Sequence, residues 1–184
     1  MLITIDPGRK GCILASDGDM FAWRRSDGPE GYGAPAKQPA SPASLWRALE
    51  GVALDFPGIM GVTPRAALVV IEAPSWYGGR ARGGKGMKAS AAGQLGLEHG
   101  IWRALCAAHG WPYRIASAKE WRKAAGIVVP KGTCPKAATL AAVEARLPEL
   151  ELVPKGCSVP HGGLVDAAGM MLAARVWAAE RRSA

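Results

Sequence analysis

The sequence predicts an α/β fold in which a mixed five-stranded sheet is flanked by helices, within a single domain spanning residues 1–184. Three β-type segments follow one another near the start, and helical and β-type segments then alternate. Two apolar runs, 2–6 and 67–72, are almost continuous, as in strands that are buried on both faces. With 184 residues, 49% hydrophobic and 21% charged, the chain has the size and composition of one globular domain.

The first part of the chain predicts three consecutive strands. These are residues 2–6, 11–16 and 20–24, and Asp17-Gly18-Asp19 is typical of a hairpin turn between the second and third. A loop rich in Gly, Pro, Ala and Ser follows, and the next helix is expected to begin at Ser44, which can cap it. The first strands therefore form an antiparallel unit.

The second part alternates between strands and helices. A strand at 67–72 is followed by a glycine-rich basic loop at 75–86. Ser117 favours the start of a short helix that Trp121 anchors against the core. The remaining elements are predicted as helix 88–109, strand 113–116, and helices 117–124, 136–147 and 166–181.

Three carboxylates fall at the ends of predicted elements. Asp6 ends the first strand, Glu72 ends the strand at 67–72, and Asp166 opens the last helix. A carboxylate at the end of a buried strand costs free energy unless it is paired, and three that converge need a divalent cation to stay ionised. Each alone has a simpler explanation as a turn former, a surface residue or a helix N-terminal charge. Together they predict a metal site.

The distribution of charge favours a polyanionic partner. The chain carries +8 with a pI near 9.6, and residues 73–143 hold eleven Lys or Arg against two acids. A basic surface of this kind indicates nucleic acid, although a generic solubilising surface or anionic lipid would also fit. The charge is not confined to one amphipathic helix, as membrane binding would prefer. The candidate DNA-binding residues are Trp76, Tyr77, Arg80, Arg82, Lys85, Lys88, Lys119, Arg122, Lys123 and Lys131.

Some of these candidates have alternative interpretations. Trp76 and Tyr77 lie in the glycine-rich basic loop and suit stacking on unpaired bases, but Trp76 could equally fill an edge of the core. Lys119 and Lys123 could stabilise developing charge, but simple phosphate contacts are the more ordinary role.

The cysteines and the apolar segments indicate the compartment in which the protein is expected. None of the four cysteines has zinc-site spacing, and Cys12 and Cys106 fall in apolar segments as small core residues. No apolar stretch reaches the length of a membrane span, and Asp6 in the first strand argues against a signal peptide. A cytoplasmic location is expected.

The chain resembles the RuvC-type Holliday junction resolvases, most of all the phage-type members of this RNase H-like family. The motifs are Asp6-Pro7-Gly8 on the first strand, Glu72 ending the fourth, and His161 followed by Asp166-Ala167 at the last helix. The resemblance runs through nearly the whole length. It implies an RNase H-like fold and a homodimeric, metal-dependent endonuclease that nicks two strands of a four-way DNA junction symmetrically. For a phage-encoded protein the location would be the host cytoplasm.

The resemblance also assigns residues to the metal site. It implies two Mg²⁺ ions, or Mn²⁺ in their place, with Asp6 bridging both, Glu72 holding one and Asp166 the other. Many family members carry another acid or a histidine about one turn before the final aspartate, where this chain has Gly162-Gly163. His161 could serve as that ligand or proton-transfer residue, or it could be a capping or surface residue.

Two other functions remain open from the sequence. A broader nuclease that cuts flaps, replication forks or RNA would use the same carboxylates. A non-catalytic junction-binding protein would explain the missing acid before Asp166.

Overall fold

A computed structural model describes residues 1–7, 11–25, 66–74, 89–154 and 156–183. The predicted loop and helix between 26 and 65 and the glycine-rich loop at 75–86 lie outside the described residues. The elements are β1 (Leu2–Asp6), β2 (Cys12–Asp17), β3 (Met20–Arg25), β4 (Leu68–Glu72), α1 (Ala89–Ala108), β5 (Tyr113–Ala116), α2 (Ala118–Ala124), α3 (Pro135–Arg146) and α4 (Gly162–Ser183). They correspond to the predicted elements within a few residues.

The sheet is mixed and five-stranded, in the order β3-β2-β1-β4-β5. The pairs β1–β2 and β2–β3 are antiparallel, whereas β1–β4 and β4–β5 are parallel. Gly18 and Asp19 connect β2 to β3, and Gly18 has a φ of 63°, which favours glycine in so short a turn. The predicted α/β class and mixed sheet are confirmed.

Alternation along the strands separates two hydrophobic layers. Ile3, Ile5 and their neighbours on one face pack with Trp102 and Cys106 of α1. The opposite face packs against α2, α3 and α4. Thr4 belongs to this second face, where its Oγ1 donates a 2.8 Å hydrogen bond to the carbonyl of Ala167 in α4. Because side chains alternate along a strand, Asp6 projects from the same face as Thr4.

The helix α4 begins four residues earlier than predicted. His161 lies just before it, and its Nδ1 accepts a 3.2 Å hydrogen bond from the N–H of Leu164. Its carbonyl accepts the N–H of Val165 at 3.0 Å. These bonds cap the helix, so Gly162-Gly163 form its first turn instead of a preceding loop. Asp166 therefore lies in the second turn and does not open the helix.

Gly169 allows α4 to approach its neighbours closely. A Cβ built there would lie 2.7 Å from Thr139 Cγ2 and 2.7 Å from Trp121 Cζ3. We expect Gly169→Ala to lower the free energy of unfolding by about 1–3 kcal/mol, because both neighbours are buried and cannot yield freely. Urea denaturation measures this change. Gly100→Ala is the matched control, since its Cβ meets no described atom within 4 Å and alanine favours a helix. Equal effects of the two changes would contradict the packing argument.

The burial of two cysteines agrees with the sequence analysis. Cys12 and Cys106 are buried, and burial raises the pKa of the Cys106 thiol to about 11, so it stays protonated and inert at neutral pH. Among the described residues, no helix combines the length and apolarity needed to cross a membrane.

Candidate functional site

The ends of β1 and β4 bring Asp6 and Glu72 side by side. The two strands are parallel neighbours in which Ile5 pairs with Ile71, so the next residue on each strand is a carboxylate. Their side chains share a hydrogen bond. The predicted convergence of the first two carboxylates is therefore present in the structure.

Burial and mutual repulsion change how this pair ionises. Burial raises the pKa of Asp6 well above its usual range, and the charges of Glu72 and Asp166 raise it further. Burial also raises the pKa of Glu72, against a hydrogen bond from Trp121 that lowers it. Without a cation, the pair therefore holds a proton to higher pH than an ordinary carboxyl group would. A divalent cation would replace that proton, and hard carboxylate oxygens suit Mg²⁺ or Mn²⁺, so these two residues fit a metal.

Asp166 belongs to the same cluster but has a different partner. The bond from Thr4 to Ala167 holds this turn of α4 against β1, and the charge of Asp166 raises the pKa of both Asp6 and Glu72. However, Asp166 Oδ2 lies 2.8 Å from Nζ of Lys136, on α3. Within the described residues, no three His, Cys, Asp or Glu side chains are arranged to hold a metal ion. The third carboxylate, Asp166, is therefore paired with Lys136 in this structure.

A pocket of about 340 Å³ opens beside the carboxylate pair. Asp6 and Glu72 line it, together with Lys119 from α2, which the sequence analysis assigned to DNA. The other lining residues are Pro7, Ala73, Pro74, Leu95, Ser117 and Ala118. Carboxylates and an exposed lysine at one pocket suit a phosphate group that binds beside a metal ion.

The other predicted DNA-binding residues differ in solvent exposure, and six of them lie outside the described residues. Arg122 is partly buried, with its guanidinium 4.6 Å from the Trp121 ring centre and Nε 3.4 Å from Thr139 Oγ1. Lys123 and Lys131 are exposed on α2 and on the loop after it. Trp76, Tyr77, Arg80, Arg82, Lys85 and Lys88 lie outside the described residues.

His161 has a structural role that the sequence left open. Besides capping α4, its ring stacks on Trp23 at 6.0 Å between centroids and 23° between planes. This position fixes the imidazole just outside the helix, as expected from the sequence. Its role as a ligand or proton-transfer residue stays a prediction.

Trp121 is a site residue that the sequence analysis placed only in the core. It is fully buried, as expected for an anchor, but its Nε1 also donates a 3.2 Å hydrogen bond to Glu72 Oε1. A capping box orients its helix: the Ser117 side chain accepts the N–H of Glu120, and the Glu120 carboxylate accepts the N–H of Ser117. The strand pairing of Glu72 with Ala116, directly before this cap, brings α2 next to the carboxylate.

Comparisons with known proteins agree with this architecture. By sequence, the chain matches no protein-family model and no curated protein. By structure, it is similar to Thermus thermophilus RuvC, with a TM-score of 0.55, 16% identity, and coverage of 98% of this chain and 96% of that chain. It is also similar to T. thermophilus RuvC in complex with a Holliday junction substrate, with a TM-score of 0.53, 16% identity, and coverage of 97% and 95%. The chain therefore has the RNase H-like fold of RuvC.

Proposed function

We propose that this chain is a metal-dependent endonuclease that cuts branched DNA and, as a homodimer, resolves four-way junctions. The observation that carries this proposal is the pair of partly buried carboxylates, Asp6 and Glu72, at adjacent strand ends of a RuvC-like sheet. A structural neighbour bound to a Holliday junction substrate supports branched DNA as the partner.

The residues of the site would divide the work of phosphodiester hydrolysis. Asp6 and Glu72 would hold Mg²⁺ or Mn²⁺, and Asp166 and His161 are the remaining candidate ligands. When bound, the metal would lower the pKa of an attacking water and offset charge on the phosphate. Trp121 orients Glu72 by its hydrogen bond.

Basic residues near the pocket would bind the DNA backbone. Lys119 lines the pocket and is exposed, so it can contact the phosphate next to the carboxylates. Lys123 and Lys131 would contribute further phosphate contacts, while Arg122 is held against Trp121. Trp76 and Tyr77 follow Glu72 closely in the chain, so we assign base stacking at the junction centre to them.

A homodimer would present two such sites to symmetry-related strands. The candidate surface is one face of α1, where Gly93 and Gly100 are exposed and Leu97 is 59% exposed. A Cβ at either glycine would meet no described atom within 4 Å, so packing against the described sheet does not explain them. Light scattering in solution measures whether the chain is a dimer.

The test of the proposal is a cleavage panel in Mg²⁺. A four-way junction, a flap, a fork and a linear duplex of matched sequence are incubated with the chain, and the cut positions are mapped. We expect paired, symmetric nicks in the junction and much slower cutting of the linear duplex, because a four-way junction presents two symmetry-related strands at one branch point to the two sites of a dimer.

The remaining outcomes separate the alternatives. Equal rates on junction, flap and fork would indicate a broader branched-DNA nuclease. Equal cutting of the linear duplex would rule out structure selectivity. Junction binding without cutting in any divalent metal would instead support a non-catalytic junction-binding protein.

A further inference from the structure

We propose that the ammonium group of Lys136 occupies one of the two cation positions of this site, so that the chain binds a single divalent ion at Asp6 and Glu72. The inference rests on the proposed function, because it concerns the metal of that same site. It departs from the two-ion arrangement that the sequence resemblance implies.

Lys136 fits against the first turn of α4. Its Nζ lies 2.8 Å from Asp166 Oδ2, and a Cβ built at Gly162 would lie 2.8 Å from that nitrogen and 3.4 Å from Cε. The ammonium therefore fills the space that a side chain at position 162 would enter. Position 162 lies one turn before Asp166, where the sequence resemblance implies a further metal ligand. In this chain a cation lies there instead of a carboxylate.

The stability of α3 does not explain why a lysine occupies position 136. Lys136 follows Pro135 in the first turn of α3, where the helix dipole disfavours a positive charge, and that turn contains no acidic residue. The Lys136 side chain is 50% exposed, and an ion pair at such a position contributes little to folding. Its partner lies on another helix, at the carboxylate cluster. The placement therefore points to the cluster and not to the helix.

Lys136 also changes the charge of the carboxylate cluster. The Lys136 ammonium places a positive charge directly against Asp166, in a cluster whose carboxylates would otherwise need that charge from a metal cation. Asp6 and Glu72 line the pocket, but Asp166 does not. The carboxylates are thus divided between a pair open to the pocket and one engaged by Lys136.

Charge balance leads to the same stoichiometry. Three ionised carboxylates carry three negative charges, which one divalent ion and one ammonium together neutralise. A second divalent ion at Asp166 would have to displace Lys136 or bind beside it against strong repulsion. The structure is therefore suited to one ion at Asp6 and Glu72.

The experiment is Mn²⁺ titration of the metal-free, full-length chain by calorimetry, with bound Mn²⁺ counted by electron paramagnetic resonance. The native chain, Lys136→Met and Lys136→Gln are compared without DNA, so the readout is independent of cleavage. We expect one Mn²⁺ per native chain. In both variants we expect a second Mn²⁺ to bind, or the first to bind at least about tenfold more tightly, because one positive charge is gone.

Arg181→Met is the matched control, since it removes the same charge from an exposed position in the last turn of α4, outside the cluster, and should leave the titration unchanged. Thermal melts monitored by circular dichroism verify that each variant is folded. Two ions on the native chain would overturn the inference, as would Lys136 variants that titrate like the native chain. A chain that cuts junctions yet binds two ions overturns this inference alone. A chain that neither binds Mn²⁺ nor cuts in the panel overturns the proposed function as well.

Discussion

Asp6→Asn is expected to lower junction cleavage at least about a thousandfold while leaving junction binding intact. Asp6 sits at the end of the central strand, beside Glu72, and an amide cannot replace its negative charge toward a metal. The substitution leaves the basic residues that would bind phosphate unchanged, so affinity for the junction should persist. Gel-shift titrations and single-turnover cleavage in Mg²⁺ measure the two properties separately.

The same variant should change the pH dependence of stability in the absence of metal. Folding raises the pKa of Asp6. At pH values between the unfolded and the folded pKa of this residue, the native chain therefore binds more protons than the unfolded chain. The contribution of protonated Asp6 to folding stability is fully present below its unfolded pKa of about 4, and it is lost as pH rises through the folded pKa. Glu72 acts in the same direction. Urea unfolding in EDTA should therefore show that Asp6→Asn gains stability relative to the native chain as pH rises.

The control for both measurements is Asp19→Asn. Asp19 lies in the hairpin turn with its side chain 93% exposed, so the same chemical change should alter neither cleavage nor the pH profile. At neutral pH, added Mn²⁺ should stabilise the native chain more than it stabilises the Asp6→Asn variant, because a ligand stabilises the folded state that binds it. Native-like cutting by Asp6→Asn would remove Asp6 from the metal site.

The sheet and the carboxylate pair could be predicted because local patterns determine them. The continuous apolar run of β1 and that of β4 indicate strands buried on both faces, and such strands suit parallel neighbours in the middle of a sheet. Once Ile5 pairs with Ile71, the residues that end the two runs must be adjacent. The strand-end positions of Asp6 and Glu72 thus followed from composition and order, whereas the register that sets them side by side is seen only in the structure.

The contacts of Lys136 and Trp121 could not be predicted, because they depend on how helices pack. Lys136 and Asp166 are separated by thirty positions, and they meet only because α3 packs against α4. The predicted start of α4 was wrong for a related reason. Gly162-Gly163 is a sequence that disfavours a helix, yet capping by His161 and burial of the following residues outweigh that preference.

Trp121→Phe is expected to lower cleavage or metal affinity by about 10–100-fold, the usual loss when a residue that orients a metal ligand is removed. Phenylalanine keeps most of the buried ring but lacks the N–H that donates to Glu72 Oε1. That hydrogen bond lowers the pKa of Glu72, so its loss should raise this pKa and keep the carboxyl protonated to higher pH. Metal binding requires the ionised form. The pH profile of Mn²⁺ binding, measured by titration, should therefore shift toward alkaline pH in the Trp121→Phe variant.

A purely structural role for Trp121 would give a different result, and Trp177→Phe separates the two. Trp177 is also a largely buried tryptophan, but it lies about three turns beyond Asp166 along α4, with Arg114 3.9 Å from its ring centre. Both substitutions remove similar volume from the core, so both should reduce stability. Only Trp121→Phe should also move the pH profile of Mn²⁺ binding, because only Trp121 donates to a carboxylate of the site. An equal pH profile in the two variants would show that Trp121 acts by packing alone.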